Sequence, residues 1–255
     1  MANSCVVMKF GGTSVGDSKA IGRVVEIVRG RLPRRPIVVV SAMAKVTDQL
    51  LQMARAAGSG DRQRALILAR ECRERHYNTA GELLGTALFT QFHGDLGGEF
   101  EELEELLRGI AAVGELTPRT TDHVAAYGEV LSSKLVAAAF SANDIPAEHV
   151  DARDCIVTDE TFMRAAPLAD DTNAKLKEFV APLAGRGQVP VLGGFIGATR
   201  GGVTTTIGRG GSDFSAAIIG AGLNADKIEI WTDVDGMGTA VGQAAKFSSI
   251  CSIHL

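Results

Sequence analysis

A chain of 255 residues that is 45% hydrophobic, 22% charged and only 5% aromatic is long enough for one large α/β domain or two small ones. A formal net charge of −4, with no basic stripe interleaved with aromatics, excludes the electrostatic footprint of a nucleic-acid or anionic-membrane binder. No run of about 18 apolar residues occurs and the N-terminus reads as a strand rather than a leader, so a cytoplasmic, globular enzyme is expected.

Ser4 to Phe10 reads as a short apolar strand with Lys9 near its carboxyl end, where open α/β sheets gather their ligands. The bland alternative for Lys9 is an edge lysine whose stem lies along apolar surface. Gly11 and Gly12 let the backbone approach a ligand, and Thr13 and Ser14 add hydroxyl donors. Ser18 to Arg29 has the spacing of a helix, with Ile21, Val24, Val25 and Val28 on one side. After the Pro33–Pro36 turn, Ile37 to Val40 is a β-branched run of the kind buried on both faces in a central parallel strand.

Thr47 to Ala57 is expected as a helix capped by Thr47 or Asp48 and ended by Gly58-Ser59-Gly60. Residues 61–112 read as mostly helical, with Phe100, Leu103, Leu106, Leu107 and Ile110 on one face and an acidic run on the solvated side. A further helix from about Thr120 carries Val124, Tyr127, Leu131, Leu135 and Val136, and Glu129 interrupts its apolar pattern. Pattern alone fits Glu129 equally as a surface glutamate. Ile145 to Val150 and Cys155 to Val157 read as short extended pieces, and Asn173 to Val180 as a helix. Gly185 to Gln188 forms a polar turn before the strand that starts at Val189 and runs into the glycines of Gly193-Gly194.

Thr204 to Asp213 (TTTIGRGGSD) then concentrates threonines, an arginine, glycines, a serine and an aspartate ahead of the helix Phe214 to Leu223, with Ser212 or Asp213 placed as its cap. A glycine loop that feeds a helix N-terminus offers unpaired N–H groups and the positive end of the dipole to an anion. The common phosphate motifs fail, however. Gly208 to Asp213 puts Asp213 where a dinucleotide fingerprint needs its last glycine, and Gly11 to Gly16 is followed by Asp17-Ser18 instead of the Walker lysine. Ile228 to Trp231 is a final buried strand, with Thr232 and Asp233 at its end. Cys5, Cys72, Cys155 and Cys251 lack CxxC spacing and the five histidines lack ligand spacing, so free or buried thiols and ordinary histidines are expected, with no protein-held metal. No repeat or linker divides the chain.

Lys9-Phe10-Gly11-Gly12-Thr13-Ser14-Val15 resembles the opening signature of the aspartate kinases. Val38 to Met43 with Val46-Thr47-Asp48 is similar to their second strand and following loop. Gly208 to Asp213 and Trp231 to Gly236 resemble their substrate and nucleotide segments, so the likeness covers roughly residues 5–240. It implies a three-layer α/β/α sandwich with a mostly parallel central sheet, the amino-acid kinase fold. It also implies transfer of the γ-phosphoryl group of ATP to the side-chain carboxylate of L-aspartate, the first step towards lysine, threonine and methionine. Mg2+ would be held mainly by the nucleotide phosphates, and the enzyme would form a homo-oligomer.

Carried over by resemblance, Lys9 neutralises the transferred phosphoryl group and Asp213 orients Lys9. Arg209 holds the substrate α-carboxylate and Glu129 its α-ammonium group, while Ser41, Thr47 and Ser212 complete the substrate contacts. Gly11, Gly12, Thr13, Ser14, Thr232 and Asp233 meet the nucleotide. No general base is required, since an aspartate side chain with a pKa of about 3.9 is already ionised.

The likeness breaks after Thr239-Ala240, where the family continues Asp-Pro-Arg and this chain reads Val241-Gly242-Gln243. Residues 241–255 therefore read as a divergent tail, and the two regulatory domains of the family are expected to be absent. That departure keeps open a second reading, a non-catalytic remnant that retains the fold without productive ATP binding. A kinase of the same fold acting on another small molecule is disfavoured by KFGGTSV and by Glu129 with Arg209, and a dinucleotide-linked dehydrogenase by the failed fingerprint.

Overall fold

The computed structural model describes residues 5–208, 210–232 and 249–254. The chain opens with strand β1 (Val6–Phe10) and helix α1 (Ser18–Arg29), the latter capped by Asp17, whose carboxylate accepts the Ala20 N–H at 2.8 Å. A 3-10 turn (Leu32–Arg34) leads into strand β2 (Pro36–Val40). Four helices follow in succession: α2 (Val46–Gly58), α3 (Arg62–Leu83), α4 (Thr86–Val113) and α5 (Pro118–Ala142). Next come β3 (Ala147–Val150), α6 (Ala152–Cys155), β4 (Val157–Thr158), α7 (Ala169–Phe179) and α8 (Ala181–Gly185). The described chain closes with β5 (Val189–Gly193), β6 (Ile196–Thr199), β7 (Thr204–Thr206), α9 (Gly211–Gly222), β8 (Lys227–Thr232) and β9 (Ser249–His254).

The main sheet has the order β3-β5-β2-β1-β8-β9, parallel throughout except for β9, which pairs antiparallel with β8. A small second sheet, β4-β6-β7, is completed by the antiparallel β6–β7 hairpin. Helices cover both faces of the main sheet, which makes the architecture the expected three-layer α/β/α sandwich with a mostly parallel sheet.

Strand parity decides which face each side chain joins. Val6, Met8 and Phe10 of β1 and Val38 and Val40 of β2 pack with α1 to α5 in one core. Val7, Ile37 and Val39 point the other way, into a core shared with α7, α8 and α9. Lys9 falls on this second parity, so the sheet presents it to the α9 side. All five residues of β1 and of β2 are buried, as the apolar run of β2 predicts, and in β1 the burial includes Lys9. Helix α5 serves both cores: Val124, Tyr127, Leu131 and Leu135 join the first, and Ala126 and Val130 the second.

Several local expectations are corrected. Helix α2 begins at Val46 behind Lys45 at φ 68°, so Thr47 and Asp48 lie inside its first turn rather than at its cap. Helix α9 begins at Gly211 behind Gly210 at φ 73°, so neither Ser212 nor Asp213 caps it. In both places a left-handed backbone turn, not a side-chain oxygen, starts the helix. Cys155 ends a helical turn that Asp151 caps through the Arg153 N–H at 2.9 Å, and the extended piece begins only at Val157. Thr204 to Thr206, grouped above with the ligand loop, are buried in the hairpin, where Thr205 and Thr158 share a hydroxyl hydrogen bond of 2.7 Å. Backbone pairing of residues 249–254 with β8 adds a strand within the tail expected to diverge.

Cys5, Cys72 and Cys155 are buried free thiols. Among the described residues no helix is long and apolar enough to cross a membrane.

Candidate active site

The loops after β1, β2 and β5 are stitched together just beyond the carboxyl edge of the sheet. Ser41 N–H donates to the Phe10 carbonyl at 3.1 Å, Ala44 N–H to Gly12 at 3.0 Å and Gly194 N–H to Val40 at 2.8 Å. Gly11 N–H reaches the Trp231 carbonyl at 3.1 Å and so joins the end of β8 to the same edge. Arg75, from the middle of α3, clamps this region from behind: its guanidinium donates to the Ala44 carbonyl at 2.7 Å and to that of Gly16 at 3.0 Å.

A cavity of about 330 Å³ opens at this edge, lined by residues that include Lys9, Ser41, Thr47, Glu129, Ser212 and Asp213. These six side chains come from β1, the loop after β2, and helices α2, α5 and α9, and every one was singled out from sequence. Gly208, Gly210 and Gly211 complete the wall at the α9 N-terminus, and Phe195, held at φ 65°, forms another side. The strained Phe195 backbone is fixed by its N–H donating to Ser215 Oγ at 2.9 Å and by its carbonyl accepting Ile207 N–H at 2.9 Å.

Lys9 is only 7% exposed, and its Nζ lies 2.7 Å from Asp213 Oδ1. The ammonium therefore stands over the N-terminus of α9, where helix dipole and cation both favour an anion. On the opposite wall Glu129 is 3% exposed. Its Oε1 accepts the Ala42 N–H at 3.2 Å, while its buried Oε2 has no hydrogen-bond partner among the described residues. Burial pushes the Glu129 carboxyl up to about 8, with the Ala42 N–H pulling weakly the other way. The surface-glutamate reading is thus excluded. Gly193 lets the sheet come this close to α5, since a Cβ there would sit 2.9 Å from Glu129 Cβ and 3.1 Å from its carbonyl oxygen.

Gly11, Gly12, Thr13 and Ser14 form the turn that follows β1 and are not among the residues that line the cavity. Thr232 ends β8 beside the Trp231–Phe10 pair, in keeping with the expected strand end. Arg209 and Asp233 lie outside the described residues. Two residues at the site carried no signal in the sequence: Asp122 on α5, which accepts hydrogen bonds from Met163 and Thr206, and Arg75, hidden in a long polar helix. Chemically, the cavity pairs an acid seeking a cation with a lysine and a helix N-terminus seeking an anion. No group of three or more His, Cys, Asp or Glu among the described residues is placed to hold a metal ion.

Comparison with known proteins converges on one family. The model of the amino acid kinase family matches residues 4–251. The aspartokinase of Chlamydia muridarum is 39% identical over 236 residues, covering 92% of this chain and 49% of the relative. The chloroplastic bifunctional aspartokinase/homoserine dehydrogenase 2 of Zea mays is 35% identical over 235 residues, covering 92% of this chain and 25% of the relative. Escherichia coli aspartokinase III, solved with aspartate and ADP in its R-state, superimposes with a TM-score of 0.83 at 31% identity, over 92% of this chain and 50% of that one. The chain spans between a quarter and a half of the length of these relatives.

Proposed function

The chain belongs to the amino acid kinase family, and on that premise we propose that it is the catalytic domain of an aspartate kinase, acting on L-aspartate and MgATP. The observation that carries this reading is the buried, unpartnered Glu129 Oε2 facing a cavity that also holds Lys9 at a helix N-terminus. A carboxylate oxygen without a partner costs several kcal/mol, by order of magnitude, when it is ionised and dry. An α-ammonium group relieves that cost, and an amino acid brings one together with the carboxylates that the cationic wall accepts.

In the proposed step, one oxygen of the substrate side-chain carboxylate attacks the γ-phosphorus. The bond from that phosphorus to the β,γ-bridging oxygen breaks, and ADP leaves with the electron pair. The product is 4-phospho-L-aspartate. No proton is transferred, because the attacking group has an intrinsic pKa of about 3.9 and is ionised beforehand. Lys9 neutralises charge spreading over the phosphoryl oxygens, and Asp213 fixes the lysine's direction. Ser41 and Thr47 hydrogen-bond the amino acid, with Ser212 beside them. Arg209 takes the α-carboxylate, and Gly11 to Ser14 with Thr232 and Asp233 serve the nucleotide. Magnesium enters with ATP, held by its phosphates.

ADP release, followed with a coupled assay in the presence of L-aspartate, L-glutamate or no amino acid, tests the proposal. Release that depends on aspartate and is at least tenfold faster than with glutamate is expected. Equal rates in all three conditions would overturn it.

A further inference from the structure

Asp122 lies near the start of α5 and is 1% exposed. Both of its oxygens are occupied: Oδ2 accepts the Met163 N–H at 2.8 Å and the Thr206 N–H at 3.0 Å, and Oδ1 accepts the Thr206 hydroxyl at 2.7 Å. All three donors are neutral. A carboxylate buried against neutral donors alone is a costly way to fasten two pieces of chain, because its desolvation is not offset by a counter-charge. What it gains is direction, since two N–H groups and one hydroxyl converge on a single carboxylate plane.

The two segments it fastens lead to the cavity. Ala165 N–H donates to the Thr206 carbonyl at 2.8 Å, which binds the 159–166 loop to β7. Met163 sits at φ 69°, and its carbonyl would lie 3.3 Å from a Cβ at Gly208, so this loop backs directly onto the cavity wall. Thr206 is followed by Ile207, tied to Phe195, and then by Gly208 at φ 87°, just ahead of the first turn of α9 that carries Ser212 and Asp213. On α5 itself Asp122 and Glu129 are seven residues apart, two helical turns or about 10 Å, on the same side of the helix. One helix thus carries the acid that lines one wall of the cavity and the acid that anchors the opposite wall.

We propose that Asp122 is a positioning residue that sets the distance between Glu129 and the first turn of α9 that carries Ser212 and Asp213, and through it the affinity for the amino-acid substrate rather than for the nucleotide. This inference rests on the aspartate kinase reading. Asp122→Asn removes the charge and replaces one of the two acceptor oxygens with an NH2 donor, so the Met163 and Thr206 N–H groups and the Thr206 hydroxyl no longer all meet carboxylate oxygens, while Thr206→Val removes the hydroxyl contact and keeps the N–H. Thr206→Ser keeps both.

The test is steady-state kinetics with each substrate varied in turn. Asp122→Asn is expected to raise KM for aspartate about tenfold or more, and Thr206→Val about threefold to tenfold, with KM for ATP changed less than about twofold. Thr206→Ser is expected to restore the wild-type KM for aspartate. Should Asp122→Asn fail to fold, the Thr206 pair decides. An unchanged KM for aspartate in Thr206→Val, or KM values for both substrates rising together in step with a falling Tm, would overturn the proposal alone. A wild-type protein inert towards aspartate would overturn the kinase reading and this inference with it.

Discussion

Lys9 Nζ and Asp213 Oδ1 meet at 2.7 Å although one lies near the end of the first strand and the other in the first turn of the last described helix. The side chain of Lys9 is nearly buried, whereas that of Asp213 is 51% exposed. A pair open to water on one side contributes about 1 kcal/mol or less to stability. Its value lies in holding a cation at a helix N-terminus, on the sheet parity that faces the cavity.

Lys9→Met should therefore separate activity from stability. The substitution keeps the apolar stem and removes the charge. A fall in kcat/KM of about 10²-fold or more is expected, by analogy with removal of one charge-stabilising donor. The unfolding free energy should change by only about 1 kcal/mol. Kinetics beside urea denaturation measure both, and retained activity would remove Lys9 from the proposed chemistry.

Glu129 makes a pH-dependent prediction. Its carboxyl stands at about 8 in the fold against an ordinary 4.5, because burial disfavours the charge. Below 4.5 both folded and unfolded states hold the proton and the group is neutral in stability. Between 4.5 and 8 the unfolded chain releases it first, so a destabilising contribution grows with pH and is complete above 8. Glu129→Gln removes this contribution, and its Tm relative to wild type should rise from pH 5 to pH 8.5. Capture of an ammonium group needs the ionised acid, so wild-type affinity for aspartate should strengthen from pH 6 to pH 8.5. In Glu129→Gln that affinity should be weak and flat. Calorimetry at three pH values reads both trends; a flat wild-type affinity would contradict the ammonium assignment.

Two glycines offer a matched pair. A Cβ at Gly193 would press on Glu129 Cβ and backbone, neither of which can swing away, whereas one at Gly22 in α1 meets nothing within 4 Å. Gly193→Ala should cost about 1–3 kcal/mol. Gly22→Ala should add about 0.5–1 kcal/mol. Thermal denaturation distinguishes them, with opposite signs expected.

Arg75→Leu should loosen the glycine turn from the loop after β2. It removes two charge-assisted hydrogen bonds, to Ala44 and Gly16, and a loss of about 1.5–3 kcal/mol for each is the upper range. Urea unfolding measures the loss, and hydrogen exchange at residues 11–16 should quicken.

Legibility of the chain followed the physics of each element. Helix α1 keeps its predicted bounds because apolar spacing and an aspartate cap agree, and β1 and β2 declare themselves through apolar runs interrupted only by Lys9. Of the six cavity side chains, Lys9 was legible from its place near the carboxyl end of a parallel strand, whereas the roles of Ser41, Thr47, Glu129, Ser212 and Asp213 came from the family resemblance, because their convergence depends on helix placement that local pattern does not encode. The starts of α2 and α9 were misread because a nearby Thr, Ser or Asp looks like a cap, while the residue that turns the chain there is Lys45 or Gly210 with positive φ. The β6–β7 hairpin was hidden because its buried threonines are polar and find their partners outside it, Thr205 at Thr158 of β4 and Thr206 at Asp122 of α5. Asp122 and Arg75 act on backbone carbonyls and amides far along the chain, a type of partner that leaves no mark on local pattern.

The central claim, that this cavity makes an acyl phosphate from an amino acid, is tested most directly by trapping the product as its hydroxamate. The protein is incubated with ATP, magnesium, L-aspartate and hydroxylamine beside a Lys9→Met control. Aspartyl hydroxamate that accumulates with the wild type and is lost in the control is the result predicted. ATP hydrolysis without hydroxamate, or equal hydroxamate from the control, would contradict it.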